Sequence, residues 1–134
     1  MQIKQLFFGA ILSFFFFTSC SKEEAAPIEA AVAIVGKWVG KSSVLSEPYN
    51  NHFSFRIHAG GILERIDANG QKTGEGTWAF YSNDEAITGS YTLTGGEAFS
   101  IIANFDKYTG ELDGTWGTGT QQYGGGYWYM KKVE

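Results

Sequence analysis

Ala98-Phe99-Ser100-Ile101-Ile102-Ala103-Asn104-Phe105 decides the fold. Phe99, Ile101, Ala103 and Phe105 fall on one side of an extended chain, and Ser100 and Asn104 fall on the other, the period-two pattern of a half-buried strand. Working outward, the same alternation recurs from residue 34 to the end, broken by clusters of Gly, Asn, Asp and Ser. It predicts eight strands, at approximately 34-45, 52-59, 62-66, 74-81, 85-93, 98-105, 111-118 and 126-133. In the second, Phe53, Phe55, Ile57 and Ala59 share a face, with His52, Ser54, Arg56 and His58 opposite. Ile87, Gly89, Tyr91 and Leu93 line up in the fifth, and Leu112, Gly114 and Trp116 in the seventh. No interval between strands is long enough for a crossover helix, so the sheet is antiparallel with nearest-neighbour connections. Eight such strands close into an up-and-down β-barrel, which removes exposed edges.

All four tryptophans follow a glycine by two residues, in Gly36-Lys37-Trp38, Gly76-Thr77-Trp78, Gly114-Thr115-Trp116 and Gly126-Tyr127-Trp128. Residues two apart share a face. A glycine there leaves room for a neighbouring ring and allows the sharp bending of a small barrel. The opening Ile34-Val35-Gly36-Lys37-Trp38 resembles the Gly-x-Trp start of lipocalins, with avidins opening similarly. The resemblance implies that Trp38 plugs the closed end and that a basic residue, Lys131 or Lys132, lies across its ring. It also implies a ligand-binding interior and a first loop, Glu47-Pro48-Tyr49-Asn50-Asn51, that acts as a lid.

The amino-terminal residues read as an address. Lys4 precedes an apolar stretch from Leu6 to Phe17, the layout of a secretory signal, and too short for a span of roughly 20 apolar residues. Phe17-Thr18-Ser19-Cys20 resembles the lipobox of bacterial lipoproteins, with Phe17 in place of the usual Leu. The resemblance implies cleavage before Cys20 and attachment of lipid to its thiol. The alternative is an ordinary signal followed by a free cysteine. Ser21-Lys22-Glu23-Glu24 resembles the export tag of Bacteroidota surface lipoproteins, so Lys22, Glu23 and Glu24 imply outer-membrane anchoring with display at the cell surface; a charged linker at the periplasmic face is the alternative. The expected organisation is a signal peptide at 1-19, a lipidated terminus and tether at 20-33 that can include a short helix from Ile28 to Val35, and a barrel at 34-134.

Removal of residues 1-19 from the 134 leaves 115, enough for one domain with a modest core, and takes the formal net charge from −4 to −5 with the loss of Lys4. That balance speaks against nucleic acid as a partner. With one cysteine, neither a disulfide nor a cysteine metal site is expected. His52 and His58 are roughly 20 Å apart along one strand and cannot share an ion. Asp106 to Asp113 lacks the ligand spacing of a calcium loop, and Gly124-Gly125-Gly126 lacks the Lys and helix of a phosphate loop. The sequence therefore carries no cofactor or metal motif and no catalytic constellation.

Sorting the connections by end places Ser46-Asn51, Asp67-Thr73, Thr94-Glu97 and Gly119-Gly125 at one end. The tight turns at Gly60-Gly61, Ser82-Asp84 and Asp106-Gly110 lie at the other. Long loops carry sites, so the mouth is expected at the first end, away from the tether. Phe53, Trp78, Tyr91, Phe99 and Trp116 are expected to line a pocket there, with Tyr49 above it. Glu64 is ambiguous. If Ile62 and Ile66 point inward, so does Glu64, as a ligand-orienting carboxylate or the acid of a barrel cyclase or isomerase. If a bulge after Gly60-Gly61 shifts the register, Leu63 points inward and Glu64 is solvated, which is the favoured reading. The leading expectation is a non-enzymatic module for a small apolar or amphipathic ligand. The alternative is a barrel filled by its own side chains that presents an interaction surface to protein or glycan.

Overall fold

The computed structural model describes residues 28-134; Cys20, Lys22, Glu23 and Glu24 lie outside them. A four-residue helix, α1 (Ala30–Ala33), precedes eight strands: β1 (Gly36–Ser42), β2 (Asn51–His58), β3 (Ile62–Ile66), β4 (Lys72–Tyr81), β5 (Ala86–Leu93), β6 (Ala98–Asp106), β7 (Glu111–Thr118) and β8 (Gly126–Lys132). Each strand pairs antiparallel with the next, and β8 pairs with β1 to close the barrel. The alternation of apolar and polar residues thus gives the expected architecture. Its clearest case, β6, buries Ile101, Ala103 and Phe105.

β1 is shorter than its pattern suggests. Ile34 caps α1, its N–H donating to Ala30 O at 3.0 Å, and its fully buried side chain seals the closed end together with Ala30. At the far end the chain leaves the ladder at Ser43, although Ser43 and Leu45 still donate to Tyr127 O and Gly125 O. α1 falls within the stretch expected as tether, and Ala30 and Ala33 pack on the core.

Rings fill the barrel axis. Phe55, Trp38 and Trp128 are fully buried. Phe55 lies 5.0 Å from Phe53, 5.8 Å from Trp128 and 5.5 Å from Tyr91 between centroids, all edge-on, the geometry that brings a ring's positive edge onto its neighbour's negative face. Glycines let the strands bend this tightly. A Cβ on Gly114 would stand 2.6 Å from Ala103 Cα, and one on Gly76 would stand 2.6 Å from Tyr91 Cα. The obstacle at both is the backbone of the adjoining strand, not the neighbouring ring that the Gly-x-Trp spacing suggests.

At the closed end Trp38 and Lys132 are neighbours across β1 and β8. Trp38 donates its indole N–H to Ile34 O at 2.8 Å and meets Phe105 edge-on at 6.1 Å. Lys132 is its register partner on β8 and donates from Nζ to Ala33 O at 3.0 Å. Lys131 points away and pairs with Glu111 at 3.4 Å. Gly36, with φ of 144°, leaves space that the Lys132 stem occupies, since a Cβ there would lie 2.7 Å from Lys132 Cε.

Candidate functional site

The β1–β2, β3–β4, β5–β6 and β7–β8 connections gather at one end and the tight turns at the other, as loop lengths predict. At the long-loop end β2 delivers Phe53, β5 delivers Tyr91 and Leu93, β6 delivers Phe99 and β7 delivers Trp116 around a concavity of about 220 Å³. Ser42, Val44, Asn51, His52 and Arg65 complete its wall. Tyr91 and Phe99 stack at 5.5 Å with their planes 30° apart, and Trp116 meets Phe99 edge-on at 5.9 Å. Trp116 is fixed by its indole N–H, which donates to Ser43 O at 2.9 Å. Phe53 and Tyr91 form the floor, 4% and 5% exposed. Below them Phe55 and Trp128 block the axis, so the site is a shallow cup. Larger concavities, of about 420 to 520 Å³, lie on the outer wall and the tight-turn end, and one of about 430 Å³ adjoins the cup on the rim, sharing His52, Arg65 and Leu93 with it. The mouth is the stronger candidate because inward-facing rings and a cation converge there, which is how small-molecule sites are built.

That cation is Arg65, and sequence reasoning missed it. Ile62 is 47% exposed while Leu63 is fully buried, so on β3 the odd residues point in, and Arg65 follows Leu63 by two. Its Cζ lies 4.7 Å over the Phe53 ring. Nη1 donates to Ile66 O at 2.7 Å and Nη2 to His52 O at 3.4 Å. Burial pushes the Tyr91 hydroxyl above its ordinary pKa, and the nearby Arg65 guanidinium works against that rise. The bulge on β3 falls between Arg65 and Ile66, not after Gly60-Gly61.

Of the seven residues expected at the site, Phe53, Tyr91, Phe99 and Trp116 stand together at the mouth, and three do not. Glu64 lies on the outer face with Leu63 pointing in, the favoured of the two parities, and His58 Nε2 is 3.2 Å and Lys72 Nζ 3.9 Å from its carboxylate; the alternative of Glu64 as an interior acid fails. Trp78 sits in the second half of β4, toward the closed end, donating its indole N–H to His58 O at 2.8 Å and meeting Phe80 edge-on at 5.0 Å. Tyr49 does not cover the mouth. It turns outward against Tyr129 of β8, edge-on at 5.1 Å. His52 and His58 are held separately, by Ser54 Oγ at 2.7 Å and by Glu64, and no group of three or more potential metal ligands occurs among the described residues.

No protein-family model, curated protein or solved structure matches the chain.

Proposed function

We propose that this chain is a lipid-anchored envelope lipoprotein with a lipocalin-like barrel that binds a small amphipathic molecule at its mouth. The anchor reading rests on the lipobox-like Phe17-Thr18-Ser19-Cys20 and the charged residues after it. The binding reading rests on one observation: Phe53, Tyr91, Phe99 and Trp116 converge from four strands on a cup open to solvent. The rings along the axis set its depth, so the ligand sits in the mouth rather than inside the barrel. A second reading, a surface for a protein or glycan partner, draws on a different patch. Tyr123, Tyr127 and Leu45 are 66%, 53% and 58% exposed on the outer wall, close to the Tyr49–Tyr129 pair.

The four indole N–H groups provide the test. When the ¹⁵N-labelled full chain is titrated with benzyl alcohol, the Trp116 indole signal should shift while those of Trp38, Trp78 and Trp128 hold still. Trp116→Phe should weaken binding, and Trp78→Phe should leave it unchanged. Shifts confined to Tyr127, Tyr129 and their neighbours would favour the outer-wall reading instead.

A further inference from the structure

We infer that the ligand of the mouth is a singly charged carboxylate with one aromatic ring or a short acyl chain, its carboxylate held by Arg65 and its apolar part by Phe99 and Trp116. The inference rests on the mouth being the binding site. Arg65 is partly buried among rings, and among the described residues no carboxylate lies within 4.0 Å of its guanidinium. Its protein partners are the carbonyls of Ile66 and His52, the face of Phe53 and the adjacent Tyr91 hydroxyl. A guanidinium has five N–H donors in a planar fork suited to a carboxylate. Two serve those carbonyls and one can face the Tyr91 hydroxyl, which still leaves donors for an incoming acceptor. A charge in an apolar setting is far more favourable when paired, and a carboxylate supplies the missing partner.

Charge and size narrow the class. Asp67 and Glu97 border the same arginine on the rim, so any anion meets some repulsion there, and a doubly charged phosphate meets about twice that of a monoanion. The cup, at about 220 Å³, is smaller than the roughly 300–1,000 Å³ of sites for drug-sized ligands, and its floor is closed by Phe53 and Tyr91. One ring or a few methylenes fit the apolar cup; the adjoining rim concavity of about 430 Å³, across Arg65, is walled by Asp67, Thr73, Thr94 and Glu97 and is no place for a longer apolar chain.

Benzoate, its neutral isostere benzamide and phenyl phosphate, titrated separately against the full chain with the Trp116 indole signal as readout, test this. Benzoate should bind about tenfold more tightly than benzamide, the scale of one charge-assisted pair, and more tightly than phenyl phosphate. Arg65→Met should abolish the preference for benzoate while leaving benzamide binding in place. Arg65→Lys, which keeps the charge without the planar fork, should retain part of it and serves if the Met variant does not fold. Equal affinities for benzoate and benzamide, or a ratio unmoved by either substitution, would overturn the carboxylate assignment and leave the mouth reading standing. Phenyl phosphate binding as tightly as benzoate would also overturn it. A Trp116 signal unmoved by all three probes would remove the mouth reading and this inference together.

Discussion

Shortening Trp38 to alanine should cost this protein a large part of its stability. The ring is fully buried, packs edge-on against Phe105 and donates to Ile34 O at 2.8 Å. Truncating a buried aromatic side chain costs about 3–5 kcal/mol, and losing one intramolecular hydrogen bond adds about 1 kcal/mol. Together these approach half of the roughly 5–15 kcal/mol that holds a typical domain folded. Trp38→Phe keeps a ring against Phe105 but gives up the indole N–H and some volume, so about 1–2 kcal/mol is expected. Urea unfolding followed by circular dichroism measures both. The midpoint should fall steeply for the alanine variant and modestly for the phenylalanine variant, with the slope unchanged in each if the unfolded state is unaffected. A loss below about 1 kcal/mol for Trp38→Ala would refute the buried plug, and equal losses in the two variants would refute the role given to ring packing.

Further outcomes follow from the sequence address and from one turn. Cys20→Ala should move the protein from the detergent to the aqueous phase in a phase-partition assay, and unchanged partition would rule out lipid on that thiol. Replacing Lys22, Glu23 and Glu24 together with alanine should protect the protein from protease added to intact cells; undiminished cleavage would discard the export reading. The backbone N–H groups of Thr109 and Tyr108 hold the Asp106 carboxyl below the usual carboxylate range. Because the folded pKa is depressed, its contribution to stability is complete above the ordinary value of about 3.9 and is lost as pH falls through the folded value. The gap in unfolding midpoint between wild type and Asp106→Asn, whose amide oxygen can still accept both bonds, should therefore change below about pH 4 and stay constant from pH 5 to 7.

The barrel was legible because seven of its strands place apolar residues or glycine on one parity. β3 does not. Ile62 and Ile66 argue for one parity and Leu63 for the other, and Arg65 then looks like an outward residue whenever Glu64 is taken as inward. What resolves it is non-local. Leu63 pairs with Ile57, whose neighbours on β2 already point in, and the bulge at Arg65/Ile66 lets Ile66 pair with Ser54 and be buried apart from the interior cluster. Tyr49 was misplaced for a similar reason. Its loop was legible, but the side of the rim it favours depends on an exposed ring of β8 far along the chain. Trp78 was misplaced by position along its strand, since β4 begins at the long-loop end and carries that ring past the midpoint. Trp128 shares its glycine spacing with the other tryptophans, which gave no sign that it would sit on the axis beneath the cup.

The way the chain enters the barrel has a mechanical consequence. A pull on residue 28 passes through α1 and Ile34 into β1, which is hydrogen-bonded along its length to β2 on one side and β8 on the other. Such a load shears two ladders at once instead of opening one bond by bond, and it is applied at the end opposite the aromatic cup. A pull from the amino-terminal end therefore reaches the cup last, through the rungs that pair Gly40 with Phe53 and Ser42 with Asn51.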